Sequence, residues 1–160
     1  MNILALPIDQ PKSENVYFLD IKKNMLMEGI FTKMIYINEW FTMNGLYIHL
    51  PIEIQSIYML NNYHKKTIYF SISQHSYILH QIDILEQMIL DQYTPMDKNK
   101  QKIHLIGQSF KLGYFRIYRE QNDNSPDIKN KNGFILKISG IWENVKGYGL
   151  SYKIMDAYQK

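Results

Sequence analysis

Leu46-Tyr47-Ile48-His49-Leu50-Pro51-Ile52-Glu53-Ile54 alternates apolar and other residues with a period of two. That period puts Leu46, Ile48, Leu50, Ile52 and Ile54 on one face, and Tyr47, His49 and Glu53 on the other. This is the pattern of a strand buried on one side. Pro51 has no N–H to give to a ladder, so the strand is expected at an edge or broken at that point. The same alternation recurs along the chain. Ile68, Phe70 and Ile72 read as inward, with Lys65, Thr67, Tyr69 and Ser71 outward. Phe115 and Ile117 oppose Tyr114, Arg116 and Tyr118. Phe134, Leu136 and Ile138 oppose Ile135, Lys137 and Ser139, up to Gly140, where a bulge or sharp bend is expected. Val16–Ile21, Ile30–Ile37 and Tyr148–Met155 are also strand-like, and Asn144–Gly147 reads as a hairpin loop.

One segment changes period. Ile78, Leu79, Ile82, Leu85, Met88 and Ile89 recur at steps of three and four, which predicts one helix over residues 76–92. Ser73 or Ser76 is the expected cap, and Pro95 lies just past the end. His80, Gln81, Glu86, Gln87 and Asp91 fall on its expected solvated face. Residues 94–101 and 121–133 read as polar loops. The expected fold is a single domain over residues 1–160, mainly β within the α+β class. It is either an OB-like small β-barrel or a curved antiparallel sheet, with one packed helix.

Composition narrows the chemistry. The chain has 160 residues and no cysteine, which excludes disulfides, thiolate metal sites and cysteine nucleophiles. A chain of this length buries roughly 70% of its unfolded surface, enough for a core without cross-links. It holds 13 Tyr, while alanine occurs only at Ala5 and Ala157. Met1–Asp9 lacks a basic secretory leader, and no apolar run approaches the length of a membrane span, so an intracellular protein is expected. Gly147-Tyr148-Gly149 lacks the rest of a nucleotide-binding fingerprint. His75 and His80 are five apart, not the four that aligns two imidazoles on a helix, and His49, Glu53 and His64 have no ligand spacing. Glu39, Glu53, Asp83, Glu86 and Asp91 are scattered, and no G-x-S-x-G elbow occurs. Neither an enzyme nor a cofactor or metal is expected.

Charge is more informative. Up to Asp97 the chain has 6 basic and 10 acidic residues; from Lys98 to Lys137 it has 9 basic and 3 acidic. The overall charge of +3 therefore hides a basic second half. Within that half, Lys111-Leu112-Gly113-Tyr114-Phe115-Arg116-Ile117-Tyr118-Arg119 sets Tyr114, Arg116 and Tyr118 on one face. Tyrosine rings stack on bases of any identity, and arginine supplies charge to phosphates and cation–π contact. Lys65 with Tyr69, Lys137, and Lys153 beside Tyr152 repeat the combination. The plainer reading is that such residues pair across strands and stabilise the sheet alone.

Three motifs in order carry a resemblance. Val16-Tyr17-Phe18 leads through Ile21-Lys22-Lys23-Asn24 to Phe31-Thr32-Lys33-Met34-Ile35-Tyr36. Trp40-Phe41-Thr42-Met43-Asn44-Gly45-Leu46-Tyr47-Ile48 follows. Ile135-Leu136-Lys137-Ile138-Ser139-Gly140-Ile141-Trp142-Glu143-Asn144 precedes Tyr148-Gly149-Leu150-Ser151-Tyr152-Lys153. Together they resemble a family of small proteins of nucleocytoplasmic large DNA viruses, some described as single-stranded DNA-binding. The resemblance runs from Val16 to Lys153 and is thinnest between Glu53 and Lys111. It implies a viral origin and single-stranded DNA, or RNA, as partner. It supplies no residue roles.

From the residues, phosphates are expected at Lys22, Lys23, Lys65, Lys111, Arg116, Lys137 and Lys153, along a basic groove. Bases are expected on Tyr47, Tyr69, Tyr114, Tyr118 and Trp142. For Trp142 after Gly140 the plainer reading is that it seals one end of a barrel, and Trp40 is expected in a turn. The alternative function is a non-enzymatic viral structural or interaction module, homo-oligomeric through an edge strand.

Overall fold

A computed structural model describes residues 4–23, 28–59, 65–118 and 133–157. The larger of two sheets holds β1 (Leu6–Pro7), β2 (Val16–Lys23), β3 (Ile30–Ile37), β4 (Thr42–Met43), β5 (Leu46–Leu50), β8 (Lys102–Ile103), β10 (Phe134–Glu143) and β11 (Tyr148–Asp156). The smaller holds β6 (Ser56–Met59), β7 (Lys65–Tyr69) and β9 (Tyr114–Tyr118), in the order β6-β7-β9. Two helices complete the fold: α1 (Ser76–Gln92) and α2 (Leu105–Phe110). The protein is mainly β, as its alternating sequence predicts.

β10 organises the larger sheet. Its first half, Phe134–Ile138, pairs with β5; its second half, Gly140–Glu143, pairs with β3; and β11 runs along its other side. The register against β11 shifts between Ile138 and Gly140, the expected bulge. A Cβ on Gly140 would lie 2.2 Å from the Thr32 carbonyl oxygen, so only glycine lets β3 approach here.

The strands do not close into a barrel. The larger sheet runs β1-β5-β10-β11-β8, with β3, β2 and β4 branching from β10, and the smaller sheet is separate. Nor is the larger sheet wholly antiparallel: β1 pairs β5, and β8 pairs β11, in parallel. Alternation reports which face is buried but not which strand is next door, and this is where the barrel expectation fails.

Between the sheets and helices lies one core. Leu46, Ile48, Leu50, Phe134, Leu136 and Ile138 face it from the larger sheet; Ile68, Phe115 and Ile117 face it from the smaller. Phe115 meets Phe134 edge to face at 4.8 Å between ring centroids, and Phe70 and Phe110 pack against Phe115. β5 stops at Leu50, just before Pro51, although Ile52 remains fully buried. Ile72, expected inward, is exposed because β7 ends at Tyr69 and the chain turns toward α1.

α1 covers the predicted residues and buries Ile78, Leu79, Ile82, Leu85 and Ile89, at about 1.5–3 kcal/mol each. Neither Ser73 nor Ser76 caps it; His75 occupies the cap position without a side-chain capping bond. The His75 ring instead donates from Nδ1 to the Ser71 carbonyl (2.8 Å) and accepts the Glu53 amide at Nε2 (3.0 Å). It is a satisfied core histidine. Glu86, expected in solvent, is 1% exposed. It accepts the Ile106 amide at 2.9 Å and the Gly107 amide at 2.8 Å, and so caps α2 from a neighbouring helix. Among the described residues, no helix is long and apolar enough to cross a membrane.

Candidate nucleic-acid interface

The register of the smaller sheet determines what its outward face carries. Lys65 lies opposite Tyr118, Thr67 opposite Arg116, and Tyr69 opposite Tyr114. On the other side of β7, Ser56 lies opposite Tyr69 and Tyr58 opposite Thr67. Directly paired residues share a face. One surface therefore gathers Lys65, Tyr69, Tyr114, Arg116 and Tyr118, five of the twelve residues expected to bind, and adds Tyr58. Tyr118 is 70% exposed and Tyr58 58%. The opposite parity, Ile57, Ile68, Phe115 and Ile117, fills the core side.

The rings are held by one another and by the cations. Tyr69 and Tyr114 lie 5.6 Å apart. The Arg116 guanidinium sits 5.9 Å from the Tyr114 ring centre, and Lys65 Nζ 5.5 Å from that of Tyr118. Such contacts stabilise the sheet and also orient each ring with a cation beside it. None of the outward residues of these three strands is acidic. With strands of about five residues, the surface measures about 17 by 10 Å. Sheet faces of this kind hold about two or three stacked bases.

A second set lies on the outward face of the larger sheet. Tyr47, Lys137 and Lys153 stand in one row across β5, β10 and β11. Lys137 Nζ lies 5.3 Å from the Tyr47 ring centre. Trp142 shares that face opposite Phe31, and Phe31 in turn lies opposite Lys22. Trp142 is half-buried and rests on Gly149, where an added Cβ would come within 2.7 Å of its ring. It covers the face of a sheet, since there is no barrel end to seal. Lys23 is exposed near the end of β2, opposite Ile30. Lys111 stands apart from both faces, following α2 and paired with Asp83 at 2.9 Å. Ten of the twelve residues thus occupy two sheet faces, with Lys23 at a strand end and Lys111 at a helical corner, not one groove.

The acidic residues gather elsewhere. α1 and α2 border a cleft of about 780 Å³ that includes Asp83, Gln87, Asp91, His104 and Lys111. Gln87 donates to Asp91 at 2.7 Å, and His104 Nε2 lies 2.7 Å from Gln87 Oε1. Lys102 pairs with Asp91 and holds its carboxyl below the ordinary range. Glu143, buried at the end of β10, accepts from the Tyr93 hydroxyl at 3.0 Å and the Met96 amide at 3.1 Å, and pairs with Lys100 at 3.3 Å. Among the described residues, no group of three or more His, Asp or Glu side chains is placed to hold a metal ion.

Tyr58 was missed because Ser56–Met59 is too short to show its period; the Ile57/Tyr58 alternation is its only signal. Trp40 is in the expected turn and is 85% exposed; the Asn38 side chain accepts the Trp40 and Phe41 amides. Expectations on residues 121–132 lie outside the described residues. No protein-family model, curated protein or solved structure matches the chain.

Proposed function

We propose that this protein binds single-stranded DNA, largely without regard to sequence, on the outward face of β6, β7 and β9. One observation carries the reading: the strand register gathers Tyr58, Tyr69, Tyr114 and Tyr118 with Lys65 and Arg116 on a face free of carboxylates. Rings of that kind take any base by stacking, while the two cations meet the backbone. The resemblance to small proteins of large DNA viruses supports the same reading and suggests a viral replication site as its setting. Titration of a fluorescent oligo-dT at low and high salt tests it. Binding at low salt should weaken as salt rises, because phosphate contacts release counterions. Replacing Tyr114 and Tyr118 together by alanine should cost about 1–3 kcal/mol per stacked base. A folded double variant with unchanged affinity removes this face from consideration.

One feature favours a second reading, self-association. Among the described residues β2 is an eight-residue edge strand paired only with β3, and Tyr17, Leu19 and Ile21 are exposed on it. Edges of that length and composition invite pairing with another chain. Sedimentation across a concentration series should then show a dimer that Ile21→Lys disperses. A monomer at every concentration rejects it.

A further inference from the structure

We infer that a longer single strand does not stop at the tyrosine face but continues over β11 onto a second contact row formed by Lys153, Lys137 and Tyr47. This extends the proposed function and rests on it. The strands supply the path. β9, which carries Tyr114, Arg116 and Tyr118, lies beside β11 without forming a ladder with it. Lys153 is an outward residue of β11; Lys137 lies opposite it on β10, and Tyr47 lies opposite Lys137 on β5. At about 4.8 Å between neighbouring strands, these three form a row about 10 Å long, running across the sheet away from β9.

The row repeats the chemistry of the first face. Lys137 sits on the Tyr47 ring as Lys65 sits on that of Tyr118. The outward positions of β5, β10 and β11 contain no Asp or Glu. A surface of one sign, with rings beside Lys65, Arg116 and Lys137, suits a polyanion whose units also stack, and a single strand is that ligand. Its two parts lie on different sheets, so they act together only on a strand long enough to reach both.

Two lengths of oligo-dT separate the parts. One of about 6 nucleotides fills the tyrosine face alone, and one of about 25 reaches both, given site sizes of about 4–16 nucleotides per comparable module. The variant is Lys137→Gln with Lys153→Gln, which keeps most of each aliphatic stem and removes the charge. Each phosphate contact to a single strand contributes about 0.7 to the slope of log affinity against log salt. The double variant should therefore lower the slope for the long strand by about 1.4 and leave that of the short strand as it was. Lys137→Arg with Lys153→Arg should restore the slope. An unchanged slope for the long strand in a folded variant overturns the inference, and so does an equal loss on both lengths. Two short oligonucleotides bound per chain, with no gain in affinity on lengthening, would mean separate sites and also overturn it. If the unaltered protein binds neither length, the tyrosine-face reading fails first and this one with it.

Discussion

Glu86 shares a helix with Gln87 and Asp91, whose side chains lie open to solvent, yet its own carboxylate is withdrawn to hold the first amides of α2. Burial pushes its pKa above the ordinary value of 4.5; the Ile106 and Gly107 amides oppose that rise without cancelling it. An acid with a raised folded pKa binds its proton more tightly folded than unfolded. Its contribution to stability is thus full below 4.5 and is lost as pH rises through the folded value. Glu143 has the opposite sign. Burial alone would raise it, but the Tyr93 hydroxyl, the Met96 amide and Lys100 outweigh burial and hold it below the ordinary range. Its contribution is present above the unfolded pKa and lost as pH falls through the folded one. Glu86→Gln should therefore gain on the unaltered protein as pH rises above 4.5, read as the difference between their urea midpoints. A difference that stays level or shrinks with pH would show that Glu86 does not titrate as its burial implies.

Single elements also show how far the sequence could be read. α1 was legible because its apolar stripe runs from Ile78 to Ile89, most of a 17-residue helix. β3 was legible from its run of Ile, Tyr and Phe, and the core-facing parity of β9 and β10 because period-two alternation records burial directly. α2 was not: six residues are too few to show a helical period. Its start depends on Glu86, 20 positions earlier, a contact no local pattern encodes. Gly140 was legible as an interruption, but its consequence was not. The bulge is where β10 passes from β5 to β3, and that exchange of partner gives the larger sheet its branched order. Parity placed Tyr114, Arg116 and Tyr118 on a common side. Pairing with Lys65 and Tyr69 needed the register, and the separation of Tyr47, Lys137 and Lys153 onto another sheet needed the topology.

Across the whole molecule, charge follows these layers. The outward positions of β5, β6, β7, β9, β10 and β11 present Lys65, Arg116, Lys137 and Lys153 and hold no Asp or Glu. The helical side holds Asp83, Glu86 and Asp91, and there Lys102 and Lys111 are engaged in ion pairs. The net charge of +3 is too small to draw a polyanion by itself, so under the proposed function the separation of signs has to do the steering. A strand approaching the helices would meet the carboxylates beside those two lysines, whereas one on the outward positions of β5, β6, β7, β9, β10 and β11 meets none. Lysine reactivity reads the difference across the molecule in one experiment. Brief acylation with and without a saturating long oligo-dT, followed by mass spectrometry, should show Lys65, Lys137 and Lys153 protected by the strand. Lys102 and Lys111 should react equally in both conditions. Protection of Lys102 and Lys111 with Lys65 unaffected would move the bound strand to the cleft between α1 and α2 and reject the sheet faces, since the charge pattern allows a polyanion little room on both sides.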